Sequence, residues 1–360
     1  MTNMRNIGQV CGGERSVHDI DVSISSPWVL VLAIAAWTGC GSSDKKAPDA
    51  YAALPADTQS AVFGMACTTN DDCPSGSICC DGSSESCDGT RLPSGDGTNS
   101  GELVVSSDGL TVTDTITGLV WQRDTSSNTR AEAKAYCAGL TLGGFSDWRL
   151  PAVMELRTIV DFTRILPPID PTGFPNGPIG VFWTSSPYAF LSGNAWLVDY
   201  NYGLSDNIGV GNGDAVRCVR GSRCYPTSRF VVLAGGLVQD SLTGLVWQQD
   251  GSGTRTGCSG SGTFTCTWAE AQAYCAGLTL GGFSGWRLPT VKELSSLVDF
   301  TVALGSSLNQ TAFPNTTLPS SFWTSSPSAF LPGTTAWDVN SDGRSSFDDV
   351  GHDNGVRCVR

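Results

Sequence analysis

The chain repeats itself. The segment ITGLVWQRD (116–124) returns as LTGLVWQQD (242–250), and AEAKAYCAGLTLGGFSDWRLPAVMELRTIVDFT (131–163) returns as AEAQAYCAGLTLGGFSGWRLPTVKELSSLVDFT (269–301). VFWTSSPYAFLSGNAW (181–196) returns as SFWTSSPSAFLPGTTAW (321–337), and AVRCVR (215–220) as GVRCVR (355–360). One fold is therefore built twice, and any element read from one copy must also suit the other. The offset between copies is 247 − 121 = 126 residues at the tryptophan of GLVWQ and 275 − 137 = 138 at the cysteine of AYC. The added stretch lies in GSGTRTGCSGSGTFTCT (251–267), which reads as one inserted loop with a disulfide of its own, Cys258–Cys266.

Each copy carries the same order of elements. A β-hairpin ends in GLVWQ. A helix follows, with Ala269, Ala273, Tyr274 and Leu278 at helical spacing, and Thr267 with Glu270 three residues on forms a capping box. A Gly-Gly turn leads to WRLP, and Pro289-Thr290 starts a second helix over VKELSSLVDF. After a long Pro-containing loop, short strands run through FWTSS, AW and VRCVR. The class predicted is α+β.

Fourteen cysteines accompany only two histidines, His18 and His352, and no CxxC occurs. Zinc sites mix Cys with His or pair two CxxC units, so the cysteines read as a disulfide framework in an oxidising compartment. Each copy has one helix cysteine and one in its last strand, which pairs Cys137 with Cys218 and Cys275 with Cys358; closing such loops is worth about 4 kcal/mol. Cys67, Cys73, Cys79, Cys80 and Cys87 crowd into CTTNDDCPSGSICCDGSSESC, a segment that only cross-links can hold, and Cys224 is a candidate partner for the odd one. The net charge of −13 repels nucleic acid and anionic lipid headgroups, which removes both from the expected partners.

The N-terminus completes the plan. WVLVLAIAA (28–36) is too short to span a membrane and suits the core of a signal peptide. It is followed by Trp37-Thr38-Gly39-Cys40, a lipobox-like ending in which Cys40 is the lipidation site, although Trp37 stands where Leu is usual. The expected organisation is a signal peptide over 1–40, a flexible tether over 41–66, a Cys-rich module over 67–87, a linker over 88–102, and repeats over 103–222 and 223–360. The expected location is the outer membrane or cell surface, with secretion or the periplasm as alternatives and membrane contact only through the lipid.

The string TGLVWQ, A..YC, GG, WRLP, EL..LVDF, FWTSS, AW and VRCVR, present in order in both copies, resembles the Lcl C-terminal domain family of a collagen-like bacterial adhesin. The resemblance implies a C-type-lectin-like architecture related to formylglycine-generating enzymes: a small twisted antiparallel sheet, two helices and a long loop region, stapled from first helix to last strand. It also implies adhesion and binding of sulfated glycosaminoglycans. A sulfated polymer needs a basic groove, and Asp and Glu outnumber Lys and Arg in both copies, so that ligand class is not carried over.

Individual sites are few. His352 is the sole histidine after the signal segment and copy 1 has Asn212 near the matching place, so no shared histidine-based engine exists. Asp338, Asn340, Asp342 and Asp349 follow a calcium-loop spacing, DxNxDG followed by an acidic residue, which makes calcium the one candidate cofactor; the same string is an ordinary hairpin turn. Trp121, Trp148, Trp183 and Trp196 recur as Trp247, Trp286, Trp323 and Trp337 and belong to the core framework. Arg149 and Arg287 are matched with Glu155 and Glu293. Tyr188, Tyr200 and Tyr202 differ between copies and are the candidate ligand-binding residues. The expected function is a non-catalytic surface binding or adhesion protein with a glycan or surface protein as ligand. The alternatives are a structural envelope protein and, third, an enzyme of the formylglycine-generating branch.

Overall fold

A computed structural model describes Asp96 and residues 103–177, 179–221, 229–250, 255–259, 265–300, 308–314, 316, 321–340 and 342–360. Cys40, Cys67, Cys73, Cys79, Cys80, Cys87 and Cys224 lie outside the described residues, as do the signal segment, the tether and the Cys-rich module.

The described chain is mostly sheet with few helices, an α+β arrangement. Copy 1 runs β1 (Leu103–Val105), β2 (Thr111–Asp114), β3 (Val120–Gln122), β4 (Ser126–Asn128), α1 (Arg130–Gly139), α2 (Val153–Thr158), β5 (Val181–Pro187), β6 (Asn194–Asp199), β7 (Leu204–Gly209), β8 (Asp214–Val216) and β9 (Val219–Arg220). Copy 2 runs β10 (Phe230–Leu233), β11 (Leu237–Asp240), β12 (Val246–Gln248), β13 (Thr265–Cys266), α3 (Trp268–Gly277), α4 (Val291–Ser296), β14 (Ser321–Pro327), β15 (Thr335–Asn340), β16 (Ser345–Asp349) and β17 (Asn354–Gly355). Each copy opens with a small antiparallel hairpin sheet, β1-β2-β3-β9 in copy 1 and β10-β11-β12 in copy 2.

The first helices begin where the capping box places them. The Glu132 carboxylate accepts from the Thr129 backbone N at 2.9 Å, and Glu270 accepts from Thr267 N at 3.1 Å. Both helices bury one alanine and one cysteine, Ala133 with Cys137 and Ala271 with Cys275, on the inward face. The second helix is shorter than the VKELSSLVDF reading, because α4 stops at Ser296. Ser295 Oγ bonds back to Val291 O and Ser296 Oγ to Glu293 O, so these hydroxyls compete for the helix's own carbonyls. Val298 then leaves the helix to form a bridge with Leu308.

The remaining strands of both copies join one ten-stranded sheet in the order β13-β17-β14-β15-β16-β7-β6-β5-β8-β4. That order reads the same from either end once matching strands are equated, with the centre between β16 and β7. The two repeats share a sheet and a core. One hydrophobic cluster contains Trp196, Leu156 and Phe162 of copy 1 together with Trp337, Leu294 and Phe313 of copy 2. Phe162 meets Trp337 edge-on at 5.1 Å, and Trp196 meets Phe300 at 4.9 Å. Two further clusters belong to one copy each and surround its disulfides and tryptophans.

Gly203 and Gly343 make the turns β6–β7 and β15–β16 at φ +90 and +98. A Cβ there would fall 3.1 Å from Val160 and 2.8 Å from Val298, so both the backbone sign and the close approach require glycine. Asp96 of the linker touches both copies: its backbone O accepts from Phe162 N at 2.8 Å, and its carboxylate meets the Ser326 hydroxyl.

Candidate functional site

Three bridges fix the framework on which any site is displayed. Cys137–Cys218 and Cys275–Cys358 tie the first helix of each copy to the segment around its last strand, and Cys258–Cys266 closes the inserted loop. The eight recurring tryptophans are all buried around them or in the shared core. Arg149 makes a two-pronged ion pair with Glu155, at 2.7 and 2.6 Å, and Arg287 does the same with Glu293, at 2.8 Å on both prongs. Each glutamate also accepts from the first backbone N–H of its helix turn, that of Ala152 or Thr290, so the pair locks WRLP onto the second helix.

The calcium-loop residues do not converge. Asp338 is buried on β15, where the Ser346 hydroxyl donates to both carboxylate oxygens at 2.9 and 3.0 Å. Burial pushes its carboxyl up to about 6, against the pull of the Ser346 and Ser321 hydroxyls. Asn340 bonds the Ser321 hydroxyl, and Asp342 sits in the turn and accepts from Arg344 N at 3.2 Å. Asp349 pairs in register with Thr335, at the far end of the hairpin from that turn. The rise along a strand separates Asp349 from the turn by roughly 13 Å, too far to share an ion. Among the described residues, no three His, Cys, Asp or Glu side chains could hold one metal.

The three tyrosines proposed to bind ligand are placed elsewhere. Tyr200 is 1% exposed and donates its hydroxyl to Leu156 O at 3.0 Å, which makes it a core residue and corrects the expectation. Tyr188 is nearly buried, edge-on to Trp196 at 5.1 Å, and Arg344 of copy 2 reaches its hydroxyl at 3.4 Å. Tyr202 is half-buried, edge-on to Phe330 of copy 2 at 5.1 Å. Tyr188 and Tyr202 each contact the other copy, a role that sequence difference alone cannot separate from ligand binding.

A different set of residues faces solvent. Phe190 (63% exposed) and Leu191 lie at the tip between β5 and β6, and Phe330 and Leu331 lie at the matching tip between β14 and β15. Phe145 and Phe283 project from the Gly-Gly turns, each with a guanidinium over its ring: Arg220 at 3.7 Å and Arg360 at 4.2 Å from the centroid. Asp147 holds Arg220 at 2.7 and 3.0 Å, while Gly285 stands at the matching position of copy 2. The sequence signal for these positions was available: all six are apolar and repeated, yet none lies at a core-facing position.

Residues 110–220 and 236–360 each match the family model described as the Lcl C-terminal domain. The chain belongs to the Lcl C-terminal domain family. A comparison with curated proteins finds no match. The two matched segments contain nearly all of the shared sheet, both long bridges and the six exposed apolar side chains. Each Lcl C-terminal domain thus presents the same tips from a framework fixed by its own staple. The six domain cysteines are bridged, and His352 is exposed with its Nδ1 2.7 Å from Asp348.

Proposed function

We propose that this chain is a non-catalytic cell-surface binding or adhesion protein that holds two Lcl C-terminal domains in a fixed pair. The observation that carries this reading is the retention, at matching positions of two diverged copies, of exposed apolar side chains: Phe145 and Phe283, Phe190 and Phe330, Leu191 and Leu331. Contiguous exposed apolar groups mark contact sites, and Phe190 with Leu191 and Phe330 with Leu331 form such an adjacent pair at each tip. Rings and aliphatic tips of this kind suit the apolar face of a sugar ring or a protein partner. The acidic charge favours a ligand without dense anionic groups.

The helix-to-last-strand staple, the small sheets and the two short helices support a C-type-lectin-like architecture for each domain. The bridged state of the six domain cysteines supports a non-catalytic role, since no reduced pair is left among them for the redox chemistry of the formylglycine-generating branch. The apolar run before Cys40 supports export and a lipid anchor. On this reading Cys40→Ser moves the protein from the membrane pellet to the soluble fraction on cell fractionation; an unchanged distribution removes the anchor.

The test of binding is direct. The oxidised mature chain is applied to glycan and surface-protein arrays beside Phe190→Ala/Phe330→Ala and Phe145→Ala/Phe283→Ala. Binding by the wild type, weakened at least about tenfold in one double variant of unchanged melting temperature, is the expected outcome. Silence of the folded wild type across broad arrays, or full binding by both variants, would overturn the reading. Because both domains belong to one sheet, two weak contacts act together, and their avidity depends on that fixed spacing.

A further inference from the structure

Matching positions of the two copies meet each other at the centre of the ten-stranded sheet, which defines a local two-fold axis. Ser205 and Ser345 are register partners across β7 and β16. Each backbone N–H points to the other's hydroxyl, at 3.1 and 3.2 Å, and the two hydroxyls are 3.0 Å apart. Phe162 and Trp337 on one side answer Phe300 and Trp196 on the other.

Arg157 of α2 and Ser295 of α4 also match, and they too face each other. Arg157 Nη2 donates to Ser295 Oγ at 2.7 Å, and Nη1 donates to Ser205 and Ser345 at 2.5 and 3.1 Å. One fully buried guanidinium thus sits at the axis with three hydroxyls, two of them from the other copy. Among the described residues it has no ion pair, and burial holds its pKa down to about 9.

A position that faces its own match is sensitive to what is repeated there. Two arginines would bury a second guanidinium against the first, in a seam where Asp161, Asp114 and Asp96 already face the buried cation of Lys292. Two serines would leave the volume of an arginine empty and strip the guanidinium donor from Ser205 and Ser345, whose hydroxyls would keep only each other's backbone N–H. Only the unlike pair fills the space. Lys292 repeats the polarity one turn earlier: its Nζ donates to Thr158 O of copy 1 at 3.2 Å, and its match in copy 1 is Met154.

We propose that Arg157 and Ser295 form a pairing key, by which the α2–β7 face of copy 1 accepts the α4–β16 face of copy 2 and rejects a second surface like itself. The seam therefore closes between unlike copies, and like-with-like association through the same face is disfavoured.

The experiment uses the full oxidised chain and reads melting temperature by calorimetry, with light scattering to follow size. Ser295→Arg, which places arginine on both sides of the axis, lowers the melting temperature by about 10 °C. The exchange Arg157→Ser/Ser295→Arg restores at least half of that loss and keeps the size of the wild type. If Ser295→Arg does not fold, folding of the exchanged chain still supports the key. An exchanged chain no better than Ser295→Arg, or a Ser295→Arg chain within about 2 °C of wild type, overturns it.

Discussion

Asp338 shows how one side chain departs from its repeat. Its match in copy 1 is Leu197, and both are buried, so copy 2 places a carboxyl where the fold accepts an apolar group. The Ser346 hydroxyl, shared between the two carboxylate oxygens, and the Ser321 hydroxyl only partly offset burial, and the carboxyl is held at about 6. A folded-state value above the unfolded one means that the folded form binds more protons between about pH 4 and 6. Stability therefore falls as pH rises through that window and is level above it. The loss is roughly 2–3 kcal/mol. Asp338→Asn removes this component, so its melting temperature exceeds wild type at pH 7.5 and the two converge near pH 4; parallel melts across that range check it. A second residue-scale expectation concerns Glu293, which serves both Arg287 and Thr290 N. Glu293→Ala removes the acceptor of the half-buried Thr290 N–H and the ion pair of Arg287, which still donates to Leu288 O, and costs roughly 1–2 kcal/mol, measured by urea denaturation.

At the scale of elements, the staples and the helix starts were legible because each is a local or paired feature repeated in both copies. The capping boxes at Thr129 and Thr267 need only residues three apart. The long bridges follow from one cysteine in a helix and one near a last strand, twice over. The end of α4 was less legible: VKELSSLVDF keeps helical spacing, yet its serine hydroxyls and the Val298–Leu308 bridge end the helix early. Loop length separates the bridges energetically. Cys275–Cys358 spans 83 residues and Cys258–Cys266 spans 8. In the chain-entropy model the first is worth about 4–5 kcal/mol and the second about 2–3. Replacing Cys275 and Cys358 by serine therefore lowers the unfolding midpoint by more than replacing Cys258 and Cys266, and equal losses would contradict that account.

For the whole molecule, the shared sheet and core imply that the two repeats unfold together. Tryptophan fluorescence and far-ultraviolet circular dichroism follow one coincident denaturant transition, whereas two separated transitions would mean that the seam is weaker than its buried contacts indicate. The sequence by itself determined the duplication, the cysteine pairing within each copy, the core tryptophans and the family. These depend on residues close along the chain or on patterns stated twice. Only the tertiary structure decided how the copies meet, since a local two-fold axis leaves no spacing in the sequence. That meeting turned Tyr188 and Tyr202 into seam residues, and it gave the buried Arg157 two of its three hydroxyls.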